Sequence, residues 1–366
     1  MKVLVTGGGT GGHIYPALAI AQNLQKSDPS VEFLFVGTER GLEKEIVPKA
    51  GLPFTTITVE GLPRKLSLTS LRTGFKLLKG LWEAKKILKQ FKPTLVVGTG
   101  GYVCGPVVAM AAWQGIPTLI HEQNAFPGIT NRLLAKWVDK IAITYQESIK
   151  YFPREKVVLT GNPVRPEVIS ACREESLIKL GLDPAKKTVL VFGGSRGARS
   201  INQALMAGRE ILENRKDLQI IHVTGKEDFP WVSCQNGMEE VKFGNIIIKP
   251  YLHNMPDALA VADLVVCRSG ATTLAEVTVR GVPAILIPYP FATDNHQEFN
   301  ARSLAREGAA VVLLDQELNK VKLEECILEL IKDENRLEMM AQKSKGLGKP
   351  EAAQTIVNCL YSLLRG

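Results

Sequence analysis

The chain has 366 residues, enough for two domains of ordinary size, and its 45% hydrophobic and 22% charged residues exclude a disordered or fibrous class. Its net charge of +8 is unevenly placed: residues 1–166 hold 21 Lys/Arg against 11 Asp/Glu, and residues 167–366 hold 24 against 26. The six cysteines are scattered with no C-x-x-C pair, which argues against a disulfide framework or a zinc site and fits a reducing compartment.

Lys2–Thr6 reads as an apolar strand, too short for the core of a secretory signal, and runs into Gly7-Gly8-Gly9-Thr10-Gly11-Gly12-His13. A helix follows over Ala17–Gln25, with Pro16 suited to a first turn. Further strands are read at Phe33–Val36, Phe54–Thr58, Leu95–Gly98, Thr118–His121, Lys140–Thr144 and Val157–Thr160, with helical segments between most of them. Gly161-Asn162-Pro163-Val164-Arg165-Pro166 reads as a linker, because two prolines fix an extended path. The plan then restarts. Thr188–Phe192 meets Gly193-Gly194-Ser195-Arg196-Gly197-Ala198, then a helix. Strands follow at Gln219–Thr224, Ile246–Lys249, Leu264–Cys267, Ala284–Pro288 and Ala310–Leu313, and the last helix is read at Ala352–Leu364. No apolar run reaches the roughly 18 residues a membrane span needs.

This alternation predicts an α/β protein of two Rossmann-like, doubly wound parallel-sheet domains facing a cleft. The expected boundaries are 1–164, 165–350 and a terminal helix at 351–366 that can pack on either domain. Each glycine loop follows a strand and opens a helix, where glycines allow close backbone approach and the helix start offers free N–H groups. One such loop is equally well a tight turn. Two, each heading its own half, favour a nucleotide or phosphate ligand. A third cluster, Gly98-Thr99-Gly100-Gly101-Tyr102, also follows a strand. A dinucleotide reading fits poorly. Glu32 lies about 20 residues past the first loop, but the second loop lacks the dinucleotide spacing, and no Gly-Lys-Ser/Thr phosphate loop is present.

An ordered set of motifs is more specific. Gly8-Gly9-Thr10-Gly11-Gly12-His13, Gly100-Gly101-Tyr102, His121-Glu122-Gln123-Asn124, Gly161-Asn162-Pro163-Val164-Arg165, Gly193-Gly194-Ser195, Cys267-Arg268-Ser269-Gly270-Ala271 with Glu276, and finally Gln297 and Asn300 span the chain. Together they resemble the MurG family, the undecaprenyldiphospho-muramoylpentapeptide N-acetylglucosaminyltransferases of bacterial peptidoglycan synthesis. The resemblance implies the two-domain GT-B architecture. It also implies an inverting transfer of N-acetylglucosamine from UDP to the C4 hydroxyl of muramic acid on lipid I, giving lipid II. The first domain would face the acceptor and the second would bind the UDP-sugar.

The same resemblance implies roles for single residues. The helix start Ala271, Thr272, Thr273, Leu274 and Ala275 would hold the donor, and Glu276 the ribose hydroxyls. Alone, a Glu there reads as a first-turn acid favoured by the helix dipole. Ser195 would meet a UDP phosphate, Arg165 would be a donor contact, and the Leu252 backbone would read the uracil. Gln297 and Asn124 would hold sugar hydroxyls, since amides both donate and accept. The family shows two adjacent glutamines, and the first is His296 here. Thr10, Gly11 and Gly12 join the substrate-binding set, and Gly101, Tyr102 and His121 lie on the acceptor side. For the base, His13 is one candidate, because a helix N-terminus disfavours a charged ring and leaves it able to accept a proton. It serves equally as a ligand for the acceptor diphosphate, and Glu122 is the rival base. The chain contains no Asp-x-Asp, so neither a metal nor a cofactor is expected.

Residues 61–92 hold nine basic residues and one acid, Glu83. Within 66–92, Leu71, Phe75, Leu78 and Trp82 fall on one helical stripe, which together with Trp113 would let a basic amphipathic helix lie on an anionic bilayer. The plainer reading is a core-facing helix with a solvated basic back. The lipid-borne acceptor favours membrane contact, and so a peripheral place on the cytoplasmic face of the cell membrane. Nucleic acid is disfavoured because no binding motif accompanies the charge. Rival functions are another GT-B enzyme, such as a glycolipid synthase or a UDP-N-acetylglucosamine epimerase, and a non-catalytic nucleotide-binding module.

Overall fold

The computed structural model describes residues 1–61, 68–194, 197–233 and 239–365, except the side chains of 68–72 and 320. The chain divides into two compact units, Met1–Pro163 with Glu351–Gly366, and Val164–Pro350.

The first unit is built on β1 Lys2–Thr6, β2 Glu32–Gly37, β3 Phe54–Thr56, β4 Leu95–Gly98, β5 Thr118–Glu122, β6 Lys140–Ile143 and β7 Val157–Leu159, in the order β3-β2-β1-β4-β5-β6-β7. Every neighbouring pair is parallel. The strands are continuous apolar runs because both faces are covered. Val3 and Val5 pack with Ile14, Ala17 and Leu24 of α1 (Gly11–Ser27), while Leu4 faces the opposite layer. The helices α2 (Glu43–Lys49), α3 (Leu68–Phe91), α4 (Cys104–Trp113) and α5 (Ile129–Leu134) complete the layers. Ala84 and Leu88 are the inward face of α3.

The terminal helix Ala352–Leu363 joins this unit rather than the second. Its Ile356, Val357 and Leu360 are fully buried beside α1, each contributing about 1.5–3 kcal/mol of hydrophobic stabilisation.

The second unit repeats the plan with β8 Lys187–Phe192, β9 Leu218–Val223, β10 Val241–Phe243, β11 Ile246–Lys249, β12 Leu264–Cys267, β13 Ala284–Leu286 and β14 Ala310–Val312. The order is β10-β11-β9-β8-β12-β13-β14. One edge departs from the parallel expectation, because β10 pairs antiparallel with β11. The two are joined through Gly244 and Asn245, so the short connection dictates a hairpin. One core cluster joins Val189, Val191, Ile220, Val266 and Ile285 to Ile201 and Leu205 of the helix Arg199–Ala207, and to Leu323 and Ile327 of the helix Lys320–Lys332. Among the described residues no helix is long and apolar enough to cross a membrane.

Candidate functional site

In each sheet the strand order reverses beside the first strand, between β1 and β4 and between β8 and β12. Loops leaving the carboxyl ends there diverge, and ligands of doubly wound sheets settle in the gap.

In the first unit the loop after β1 and the loop after β4 lie against each other. Gly8 N–H donates to the Gly100 carbonyl at 3.4 Å, and Thr99 Oγ1 to the His13 carbonyl at 2.8 Å. Gly101 has φ +83°, and a Cβ there would stand 2.3 Å from the Gly8 carbonyl oxygen, so this approach requires glycine. Thr10 precedes α1 in an extended conformation, and the half-buried Gly11 and exposed Gly12 open its first turn. His13 is half-buried, and its Nδ1 lies 3.0 Å from the Gly8 carbonyl and 3.4 Å from Thr10 Oγ1. A carbonyl can only accept, so Nδ1 carries the proton and Nε2 is the ring's basic nitrogen. Tyr102 flanks Gly9.

The segment after β5 is closed upon itself. Glu122 is 2% exposed, and its carboxylate accepts from Asn124 N and Nδ2, Gly128 N and Asn131 Nδ2 at 2.8–3.3 Å. Burial raises its pKa, against the lowering effect of those donors. His121 is fully buried, with Nε2 3.0 Å from the Gly161 carbonyl and Nδ1 3.0 Å from Gln123 Nε2. Burial pushes it down to about 4, so the ring is neutral and braces the loop. Asn124 is thereby fixed at the loop's half-buried edge.

In the second unit the helix Ala271–Arg280 starts directly after β12, capped by Gly270 in an extended conformation. Its first-turn N–H groups lack intrahelical acceptors. Thr272 Oγ1 is buried with no hydrogen-bond partner among the described residues. Thr273 and Ala275 are half-buried, and Leu274 is inward. Glu276 is 7% exposed and grips Arg165 through both oxygens, Nε to Oε1 at 2.7 Å and Nη2 to Oε2 at 3.1 Å. This pairing across 111 residues has no sequence signal.

Arg268 is a brace that sequence reasoning missed. It donates to the carbonyls of Ile287 and Pro288 and to Ser200 Oγ, and pairs with Asp315 at 2.6 Å. Gln297 Oε1 accepts from Tyr289 N–H at 3.0 Å, which makes its amide nitrogen the donor end. Asp294 and Asn295 precede its helix in left-handed backbone, φ +52° and +54°, a strain of about 1 kcal/mol or more each, as at ligand clamps. His296 Nδ1 faces the Thr293 carbonyl at 2.8 Å, and Leu252 is buried after β11. Ser195 lies outside the described residues.

Phe75, Leu78 and Trp82 of α3 are 63–75% exposed, and Trp113 is 80% exposed. The start of the 66–92 segment, residues 66 and 67, lies outside the described residues, and the Leu71 side chain is not described. Ile129, Leu133 and Trp137 form a second exposed apolar stripe on α5 and its extension. Their i, i+4, i+8 spacing was a legible signal. The helix α4 packs against both α3 and α5.

Residues 3–143 match the model of the glycosyltransferase family 28 N-terminal domain, and residues 188–356 that of the C-terminal domain. The chain is 53% identical over 368 residues to the UDP-N-acetylglucosamine–N-acetylmuramyl-(pentapeptide) pyrophosphoryl-undecaprenol N-acetylglucosamine transferase of Desulforamulus reducens, covering 100% of this chain and 99% of that one. It is 50% identical over 363 residues to the protein of that name from Bacillus licheniformis, with 99% of each chain covered. Among solved structures, Acinetobacter baumannii MurG matches with a TM-score of 0.79 and 30% identity over 99% of both chains.

Proposed function

The chain belongs to glycosyltransferase family 28, and within it to the MurG N-acetylglucosaminyltransferases, and from that membership we infer how its two units divide the reaction. The enzyme transfers N-acetylglucosamine from its UDP donor to the C4 hydroxyl of N-acetylmuramyl-pentapeptide on undecaprenyl diphosphate, a step of peptidoglycan synthesis. The observation that carries this reading is the likeness to such transferases along the whole chain.

Most donor contacts are assigned to the second unit. Ribose hydroxyls take Glu276, with Arg165 shared or displaced. The diphosphate takes the N–H groups of Ala271–Ala275, the Thr272 hydroxyl, Ser195 and the first-turn residues Thr10, Gly11 and Gly12. The Leu252 backbone reads the uracil, and Gln297 with Asn124 holds sugar hydroxyls. Donors aimed at the departing UDP stabilise its growing charge.

Acceptor activation is assigned to the first unit. His13 Nε2 takes the C4 proton as that oxygen attacks the anomeric carbon opposite UDP, whose bond breaks. Two facts support His13 over Glu122: the Gly8 carbonyl holds its tautomer, and Glu122 is spent on four donors inside its own loop. Gly101 and Tyr102 shape the acceptor side, with His121 bracing behind.

The exposed residues of α3, Trp113 and the α5 stripe, among the lysines of 76–92, are assigned to an anionic membrane surface. With that assignment goes a peripheral position on the cytoplasmic face, where the lipid headgroup would be reached. No nucleic-acid partner is proposed.

A transfer assay with labelled UDP-N-acetylglucosamine and lipid I tests the whole. Labelled lipid product is expected. Epimerised donor without lipid product, or binding without turnover, would establish one of the rival functions instead.

A further inference from the structure

We propose that Glu43 is a positioning residue for His13, acting through the single peptide group that joins Gly8 to Gly9. That group is held at both ends. Its N–H donates to Glu43 Oε2 at 3.1 Å, and its carbonyl accepts from His13 Nδ1 at 3.0 Å. A carboxylate at the N–H end polarises the amide and makes its carbonyl a stronger acceptor. The carbonyl then keeps the proton on Nδ1, leaves Nε2 basic, and stabilises the ring once it has taken the acceptor's proton. Glu43 thus plays the carboxylate's part in an acid–histidine pair, with one amide inserted. The inference rests on the reading of His13 as the base.

The surroundings are built for a charge at this place. Glu43 is fully buried at the start of α2. Its Oε1 accepts from Thr38 N at 3.0 Å and Thr38 Oγ1 at 2.7 Å. A Cβ on Gly8 would lie 2.5 Å from Oε1, and one on Gly41 2.1 Å, so the loop closes over the carboxylate only because both lack side chains. Burying a carboxylate is costly unless donors compensate it. Helix-dipole stabilisation does not explain the burial, because Glu45 in the same first turn is exposed and supplies that effect.

The other ionisable groups around this assembly come from α1, α4, β5 and the loop after β4. His121 of β5 is held at about 4, chiefly by burial, and a proton on His13 lowers it further. Cys104 of α4 bonds the Gly100 and Thr6 carbonyls and is pushed up to about 12 by burial. Neither changes charge near neutral pH. Tyr102 flanks Gly9, Tyr15 of α1 flanks Gly11, and Glu122 is turned into its own loop.

The test is the pH profile of kcat/KM for lipid I with the full-length enzyme, its Glu43→Gln and His13→Asn variants, and the double variant. Glu43→Gln is expected to lower kcat about 10–100-fold, the range for groups that orient a functional side chain. It moves the acid limb to lower pH, leaves the Kd for UDP-N-acetylglucosamine unchanged, and adds nothing to His13→Asn. A Glu43→Gln enzyme with the wild-type acid limb overturns the proposal while His13 stands. A His13→Asn enzyme that keeps its kcat and limb removes the base itself. If Glu43→Gln does not fold, 15N shifts of the His13 ring in the wild-type enzyme decide: protonated Nδ1 is expected, and protonated Nε2 overturns the coupling.

Discussion

The two glycine loops occupy equivalent places in their sheets but are filled differently underneath. Beneath the first lies a buried carboxylate, Glu43, bonded to the Gly9 N–H. Beneath the second lies a network led by a neutral ring: His222 Nε2 meets Asn202 Oδ1 at 2.9 Å, and Asn202 Nδ2 donates to the Thr224 carbonyl and to Asp228. Gly197, with φ +78°, rests on that same Thr224 carbonyl, 2.0 Å from where its Cβ would be. The first floor's carboxylate bonds the loop backbone itself, through the Gly9 N–H, whereas the second floor's acid, Asp228, is met by the Asn202 amide and by Arg199. On the proposed division of labour, one strand–loop–helix plan serves chemistry in the first unit and binding in the second.

Substitutions at the two glycines press hardest on this contrast. Gly101→Ala drives a methyl into the Gly8 carbonyl that holds His13, and is expected to lower kcat on the order of 100-fold with little change in donor KM. Gly197→Ala is expected to do the reverse, raising donor KM at nearly constant kcat. Steady-state kinetics with both substrates varied separates them. Glu276→Ala, which removes the proposed partner of the ribose, should raise donor KM about 10–100-fold, the worth of hydrogen bonds to a charged group. Arg165→Ala should cost only severalfold, because that side chain is 46% exposed and its pairing is screened by solvent.

Acidification sharpens the comparison further. His121 and His222 ordinarily titrate near 6.5, and burial depresses them to about 4 and about 3. Below 6.5 the unfolded chain binds more protons, so stability present above that pH is lost as pH falls towards those values. The fall in Tm between pH 7 and pH 5 is expected to shrink in a His222→Gln enzyme. Serine at Phe75 and Trp82 should abolish co-sedimentation with anionic liposomes, yet leave kcat with a short-chain soluble acceptor unchanged.

Thirteen of the fourteen strands among the described residues were legible, because strands of a covered parallel sheet are mostly continuous apolar runs, many of them followed by glycine. β10 was not, because Val241–Phe243 is a three-residue edge pairing with little pattern of its own. Among site residues, those on glycine-rich turns could be read locally. Glu43 could not, since a glutamate opening a helix looks like dipole compensation until its burial is seen. The Arg165–Glu276 pair and the Arg268 brace join residues far apart in sequence. His121 was expected on the acceptor side, and sequence did not reveal that both ring nitrogens are engaged inside the protein.

Titration calorimetry of UDP-N-acetylglucosamine into the wild-type, His13→Asn and Glu276→Ala enzymes tests the division of labour most directly. The account predicts an unchanged Kd for His13→Asn and a Kd weakened at least tenfold for Glu276→Ala, about 1.4 kcal/mol. Donor binding lost with His13 and retained without Glu276 would contradict it.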